Sequence, residues 1–209
     1  MSRPRVRRRG LTLLELLLAL VITVMIAGAI ASMMAAVRTG VADRRDARDV
    51  LVAGHAASSR LGAYLAPARC LLAVSESDLV IWLHDDRADG NVHASELRWL
   101  AWDPPSGSIV VRWVDFPDDW SELRIELADR RYPVGSDWWR VQAWWDDRGL
   151  LAEMPLVDGL TGASFAIDHG SAVDARMAVT DLTFPSGPTG VDLPISLVIR
   201  QHRPPSGGL

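Results

Sequence analysis

Between Glu15 and Arg38 the chain carries no charged side chain: residues 16–37 read LLLALVITVMIAGAIASMMAAV. A run of about 22 apolar residues makes roughly 33 Å of helix at about 1.5 Å per residue, enough to cross the hydrocarbon core of a bilayer. Arg3, Arg5, Arg7, Arg8 and Arg9 precede it, with no acidic residue among them. Cationic flanks stay cytoplasmic, so the body that follows is expected on the far side of the membrane. Alone, the pattern also fits a signal peptide, a twin-arginine signal or a plain signal anchor. Glu15, at the head of the apolar run, serves no purpose in any of these. Ionisable groups inside a membrane helix are costly, about 2.5–3.5 kcal/mol for Asp, Lys or Arg at mid-helix on insertion scales, so the carboxylate needs a partner. If the chain is cut after Gly10, Leu11 acquires a free amine one helical turn before Glu15. That amine, from the same helix or from a neighbouring subunit, is the natural counter-ion.

Arg8-Arg9-Gly10, then Leu11-Thr12-Leu13-Leu14-Glu15 and a uniform apolar run, resembles a class III prepilin signal of the type IV pilin-like proteins. Leu11 stands where that family most often has phenylalanine. The resemblance implies cleavage between Gly10 and Leu11 by a prepilin peptidase and N-methylation of Leu11. It also implies a role for Glu15 in assembly with other pilin-like subunits through the N-terminal helix. The expected location is the inner membrane, single-pass, with the C-terminal domain periplasmic and the processed chain filament-associated.

Beyond the span, apolar residues recur at helical spacing at Ala47, Val50, Leu51, Gly54, Ala57, Leu61, Tyr64 and Leu65, which predicts a helix over 43–65 with Pro67 closing it. Gly40 and Gly54 each weaken that helix by about 1 kcal/mol relative to alanine and mark sites for a bend. From Cys70 the period changes to two. Strands are predicted at 79–83, 96–102 and 108–114, with a turn at 103–107, giving three consecutive antiparallel strands. Later strands are read at 140–145, 163–167 and 193–199, while 122–129 is ambiguous between helix and strand. The order of residues 155–161 (PLVDGLT), a strand, then Leu193-Pro194 leading into a final strand resembles the end of J-type minor pseudopilins of type II secretion.

The chain holds 22 Lys+Arg against 26 Asp+Glu, and five of the arginines stand in the leader, so the body is more acidic than the formal net charge of −4 indicates. An acidic body argues against nucleic acid as a partner, because phosphate affinity comes from clustered cations. The one cysteine, Cys70, excludes an internal disulfide framework and a Cys-based zinc cluster; a small buried hydrophobe is its expected role. Nine tryptophans raise a carbohydrate-binding reading, against which stands core or interface packing. Trp138-Trp139 and Trp144-Trp145 are adjacent pairs, so in an extended segment one member of each faces away from the core.

Residues 85–96 follow the spacing of a twelve-residue calcium loop, with acid at positions 1 and 5, glycine at 6, an apolar residue at 8 and glutamate at 12. Asp85, Asp89, the Asn91 carbonyl and Glu96 are the candidate Ca²⁺ ligands. Arg87 stands where the third position should supply an oxygen, and strands flank the loop. A solvated acidic hairpin loop with no cofactor is the competing reading. No G-x-S-x-G, H-E-x-x-H or phosphate loop is present, and His84, His93 and the Asp168-His169 pair form no catalytic constellation.

The fold expected is α+β and pilin-like, a long N-terminal helix packed on an antiparallel sheet. Its segments are a basic leader 1–10, a transmembrane and assembly helix 11–38, the rest of the helix 39–66, a β-rich domain 67–203 and a flexible tail 204–209. The function implied by the resemblance is that of a non-catalytic filament subunit, a minor pseudopilin of a type II secretion system. A minor type IV pilin of a pilus or DNA-uptake machine and a membrane-anchored periplasmic binding or enzymatic domain are the alternatives.

Overall fold

The computed structural model describes residues 13–84, 87, 89–168, 170–186 and 190–206, with backbone alone over 36–47. Helix α1 (Leu13–Leu65) is followed by strands β1 (Cys70–Val74), β2 (Asp78–Trp82) and β3 (Val92–His93). A 3₁₀ turn (Ala94–Glu96) leads into β4 (Leu97–Asp103) and β5 (Ser108–Val114). Then come α2 (Glu122–Ala128), β6 (Arg131–Tyr132), α3 (Trp138–Asp146), β7 (Leu151–Val157), β8 (Gly162–Ile167), β9 (Met177–Phe184) and β10 (Val191–Val198). The class is α+β, as expected. The chain divides into two compact units, the second beginning at Asp49.

In the first unit, every residue of Leu13–Ala35 is solvent-exposed, and this stretch is long and apolar enough to cross a membrane. Its two hydroxyls are spent inside the helix: Thr23 Oγ1 donates to Ala19 O at 2.7 Å and Ser32 Oγ to Ala29 O at 2.8 Å. Neither residue therefore turns a free polar side-chain hydrogen outward from the helix.

In the second unit, α1 buries Val50, Gly54, Ala57, Leu61 and Leu65, one face at helical spacing. Leu51, expected in that stripe, is exposed. At Gly54 the helix comes close to β10: a Cβ there would meet Leu193 Cδ1, and that side chain would have to shift. The helix stops at Leu65, two residues before Pro67, because the residue preceding a proline is pushed out of the helical region.

Two antiparallel sheets form the body, ordered β1-β2-β4-β5-β7 and β10-β9-β8, with a β3-β6 ribbon beside them. The β2-β4-β5 meander matches the expected consecutive strands. Leu71, Leu79, Ile81, Leu100, Ile109 and Val111 pack in one core with Val50, Ala57, Leu61 and Leu65 of α1. Leu72, Val80, Trp82, Leu97, Trp99 and Val114 pack in a second core with Trp138 and Trp145 of α3. With both faces covered, the strands read as nearly continuous apolar runs. Pro155 and Pro194 lie in β7 and β10, each at the end of its sheet, where a missing N–H costs no ladder bond.

Two expectations are corrected and one open reading is decided. Residues 140–145 are helix, not strand. Trp138 and Trp145 are seven residues apart, so they fall on one helical face and are buried, while Trp139 is exposed and Trp144 half-buried. Asp137 caps the helix, accepting from Arg140 N–H at 3.1 Å. The segment 122–129, left open between helix and strand, is helical over Glu122–Ala128, with Ser121 accepting from Arg124 N–H. The tail is held through Ser206 rather than loose from 204, since Pro205 is buried and Ser206 donates to Gly90. Strands β7 and β9 had no counterpart in the sequence reading.

Candidate functional site

The N-terminal segment is built by a single helix. Gly10 and Leu11, the expected cleavage and methylation positions, lie outside the described residues. Glu15 occupies the first turn of α1, where a helix N-terminus favours negative charge, and the exposed apolar face of Leu13–Ala35 begins beside it. An acid and an apolar shaft thus share one end of one element.

The acidic loop is organised differently from a cation cage. Asp85 lies outside the described residues. Glu96 is fully buried, and its Oε2 accepts from Trp82 Nε1 and from His93 N–H, each at 2.9 Å. Its carboxylate thus caps the 3₁₀ turn and satisfies an indole of the second core. Asp89 accepts from Asn91 N–H at 2.9 Å through Oδ1, and its Oδ2 lies 3.1 Å from His93 Nε2. Asn91 Nδ2 donates to the Asp89 carbonyl at 3.2 Å. The loop therefore brings Asp89 and Asn91 together, while Glu96 turns inward. Among the described residues no group of three His, Cys, Asp or Glu is arranged for a metal.

The Asn91 N–H, and after it His93, hold the Asp89 carboxyl below its ordinary value of 3.8, at about 2. A depressed carboxyl stabilises the folded loop above pH 3.8, and that contribution is lost as pH falls through 2. The Asp89 side-chain carboxyl carbon, followed by NMR, is expected to titrate with a midpoint near 2; a midpoint near 3.8 would contradict these bonds.

Sequence reasoning missed the partner of Arg87. Its Nη2 donates to Asp129 Oδ2 at 2.9 Å, and the Asp129 side chain is only 2% exposed. Asp129 also accepts from Ser95 N–H and Ser95 Oγ, both at 2.9 Å, so it ties the loop to the end of α2. No local signal could have revealed a pairing across 42 positions. Arg87 is partly exposed, so we expect Arg87→Ala to cost about 1–2 kcal/mol. Arg87→Asp should cost more, because it sets a second carboxylate beside a buried one. Melting of both variants at the wild-type temperature would show that the pair contributes nothing.

The remaining titratable candidates do not converge. Burial, with Asp174 adding to it, pushes the Cys70 thiol up to about 12, which keeps it protonated and poorly nucleophilic. Its Sγ lies 3.3 Å from Val173 O. His202 Nε2 lies 2.9 Å from the same carbonyl, and His169 is outside the described residues. The carbohydrate reading of the tryptophans finds little free ring. Trp82, Trp99, Trp138 and Trp145 are buried, and Arg130 and Arg148 stack on Trp144 at 4.3 and 3.4 Å.

Residues 5–31 match the family described as the prokaryotic N-terminal methylation motif. The match supports a type IV pilin-like prepilin. Gly10, Leu11 and Glu15 all fall inside the matched prepilin motif, as does most of the exposed apolar stretch. The motif implies processing by a prepilin peptidase and assembly with other pilin-like subunits, a structural role rather than a catalytic one. With the apolar helix, it also points to membrane anchoring. No curated protein matches the chain.

Proposed function

We propose that this chain is a non-catalytic filament subunit, a minor pseudopilin of a type II secretion system. The observation that carries the subunit role is the position of Glu15, fifth after the Gly10–Leu11 junction and in the first turn of an exposed membrane-length helix. The J-type assignment and the secretion role rest on the order of segments from residue 155 onward. In this reading the leader stays cytoplasmic, the domain is periplasmic, and the peptidase cuts after Gly10 and methylates Leu11. The helix is then drawn from the inner membrane into a bundle, where Glu15 receives the amine of an adjacent subunit. The 85–96 loop is a structural element without a resident cation, since Asp89 is bonded to Asn91 and His93 and the buried Glu96 turns its Oε2 to His93 and Trp82. Calorimetry of the full chain with CaCl₂ alone tests that point, and tight binding overturns it.

The mature N-terminus tests the subunit role. Mass spectrometry is expected to find a chain beginning at N-methylated Leu11. An intact leader, or a cut within residues 27–31, would instead indicate a signal anchor or an exported domain. Gly10 should be sensitive to size, because the peptidase must approach the backbone closely there. Gly10→Leu is expected to block maturation and Gly10→Ala to be better tolerated; normal processing of Gly10→Leu on a gel would refute this.

A further inference from the structure

The segment after β10 stays on the domain. Ile199 N–H donates to Arg176 O at 2.9 Å and Arg203 N–H to Arg69 O at 2.8 Å. Pro205 is buried. Ser206 donates twice to the Gly90 carbonyl, from its backbone N–H and from Oγ, each at 2.9 Å. The segment therefore runs from the three-stranded sheet past the start of β1 to the turn of the acidic loop. There Pro205 and Ser206 wall one side of a cavity of about 230 Å³, facing Asn91, Val92, Tyr132, Pro133 and Val134.

Glycine at position 90 is favoured chiefly by its backbone. Its φ of +73° lies in the left-handed region, and a Cβ would collide with Ser206 Oγ. The ribbon beside it is minimal, with β3 and β6 two residues each. A two-stranded ribbon of that length has no independent stability and needs covering from elsewhere.

We infer that residues 199–206 are a clip: this segment walls the groove beside β3 and β6, and its hold on Gly90 sets the conformation of residues 89–93. Loop and tail open together as one unit, at lower free energy than the sheets. Releasing the clip bares the groove and frees the Gly90 carbonyl, so the shape the loop presents depends on residues more than a hundred positions away.

Hydrogen exchange on the full chain in detergent micelles tests this. A chain ended after Gln201 is expected to exchange the amides of residues 89–93 about tenfold faster, with 97–114 unchanged. Ser206→Ala, which removes one of the two bonds to Gly90, should raise exchange there about threefold, and Ser206→Thr should stay near wild type. Unchanged protection of 89–93 in both the shortened chain and Ser206→Ala overturns the clip, because the loop would then be held by its Asp89–Asn91 and His93–Glu96 bonds alone. Equal acceleration over 97–114 in the shortened chain also overturns it, because the tail would then belong to the global core.

Discussion

Glu15→Leu is expected to abolish incorporation into filaments while leaving membrane insertion intact or improved. Removing a carboxylate from the head of a membrane helix removes an insertion cost, so the membrane-bound fraction should not fall. In the proposed assembly, the amine of a neighbouring Leu11 would lose its counter-ion in a medium where an unpaired ammonium is costly. A loss of ten- to a hundredfold in the filament fraction corresponds to about 1.4–2.8 kcal/mol, well within the value of a desolvated charge pair. Glu15→Gln keeps the shape without the charge and should fail alike, which separates pairing from packing. The measurement is the fraction of subunit in sheared filaments against the fraction in membranes. Wild-type incorporation of Glu15→Leu would be incompatible with the pairing.

Trp145→Ala is expected to destabilise the folded domain by about 3–5 kcal/mol, among the largest effects of a single truncation. Trp145 is 1% exposed and lies edge-on to Phe116 and Trp144, with ring centroids 5.8 and 4.7 Å apart. Its Nε1 donates to the Tyr132 hydroxyl at 3.1 Å, so truncation opens a cavity and also removes a polar partner. At about 2–4 °C per kcal/mol for a domain of this size, melting should fall by roughly 10 °C. Trp138→Ala should be comparably severe, and Trp139→Ala close to neutral. This set discriminates between secondary structures. An extended segment would align Trp138 with Trp144, whereas a helix aligns Trp138 with Trp145. Severe loss in Trp144→Ala with a mild effect in Trp145→Ala would contradict helix α3.

The parts of the fold legible in the sequence were those with a local rule. The β2-β4-β5 meander could be read because each strand is short, apolar and bounded by turn residues, as at 103–107. Residues 140–145 misled because four tryptophans in eight positions satisfy β propensity, while the seven-residue repeat and the Asp137 cap carry the helical signal. Strand β7 was hidden by Pro155 and Glu153, which an end strand tolerates. The calcium-like spacing at 85–96 was visible, but spacing does not say which way a carboxylate turns. Glu96 turns inward because Trp82 Nε1, buried in the second core, needs an acceptor.

By itself the sequence determined the N-terminal pattern of this protein: a membrane-length helix, a basic stretch ending in Gly10, and an acid five positions beyond it. These are one-dimensional properties, fixed by the rise of a helix and the cost of a charge in hydrocarbon, and they require no other part of the chain. Only the tertiary structure decided what the body's polar groups do. Arg87 looked like a defect in a cation loop and is the partner of Asp129, and a tail that read as loose holds Gly90. Such roles depend on which donors and acceptors folding brings within about 3 Å, and here they come from 34 to 116 positions away.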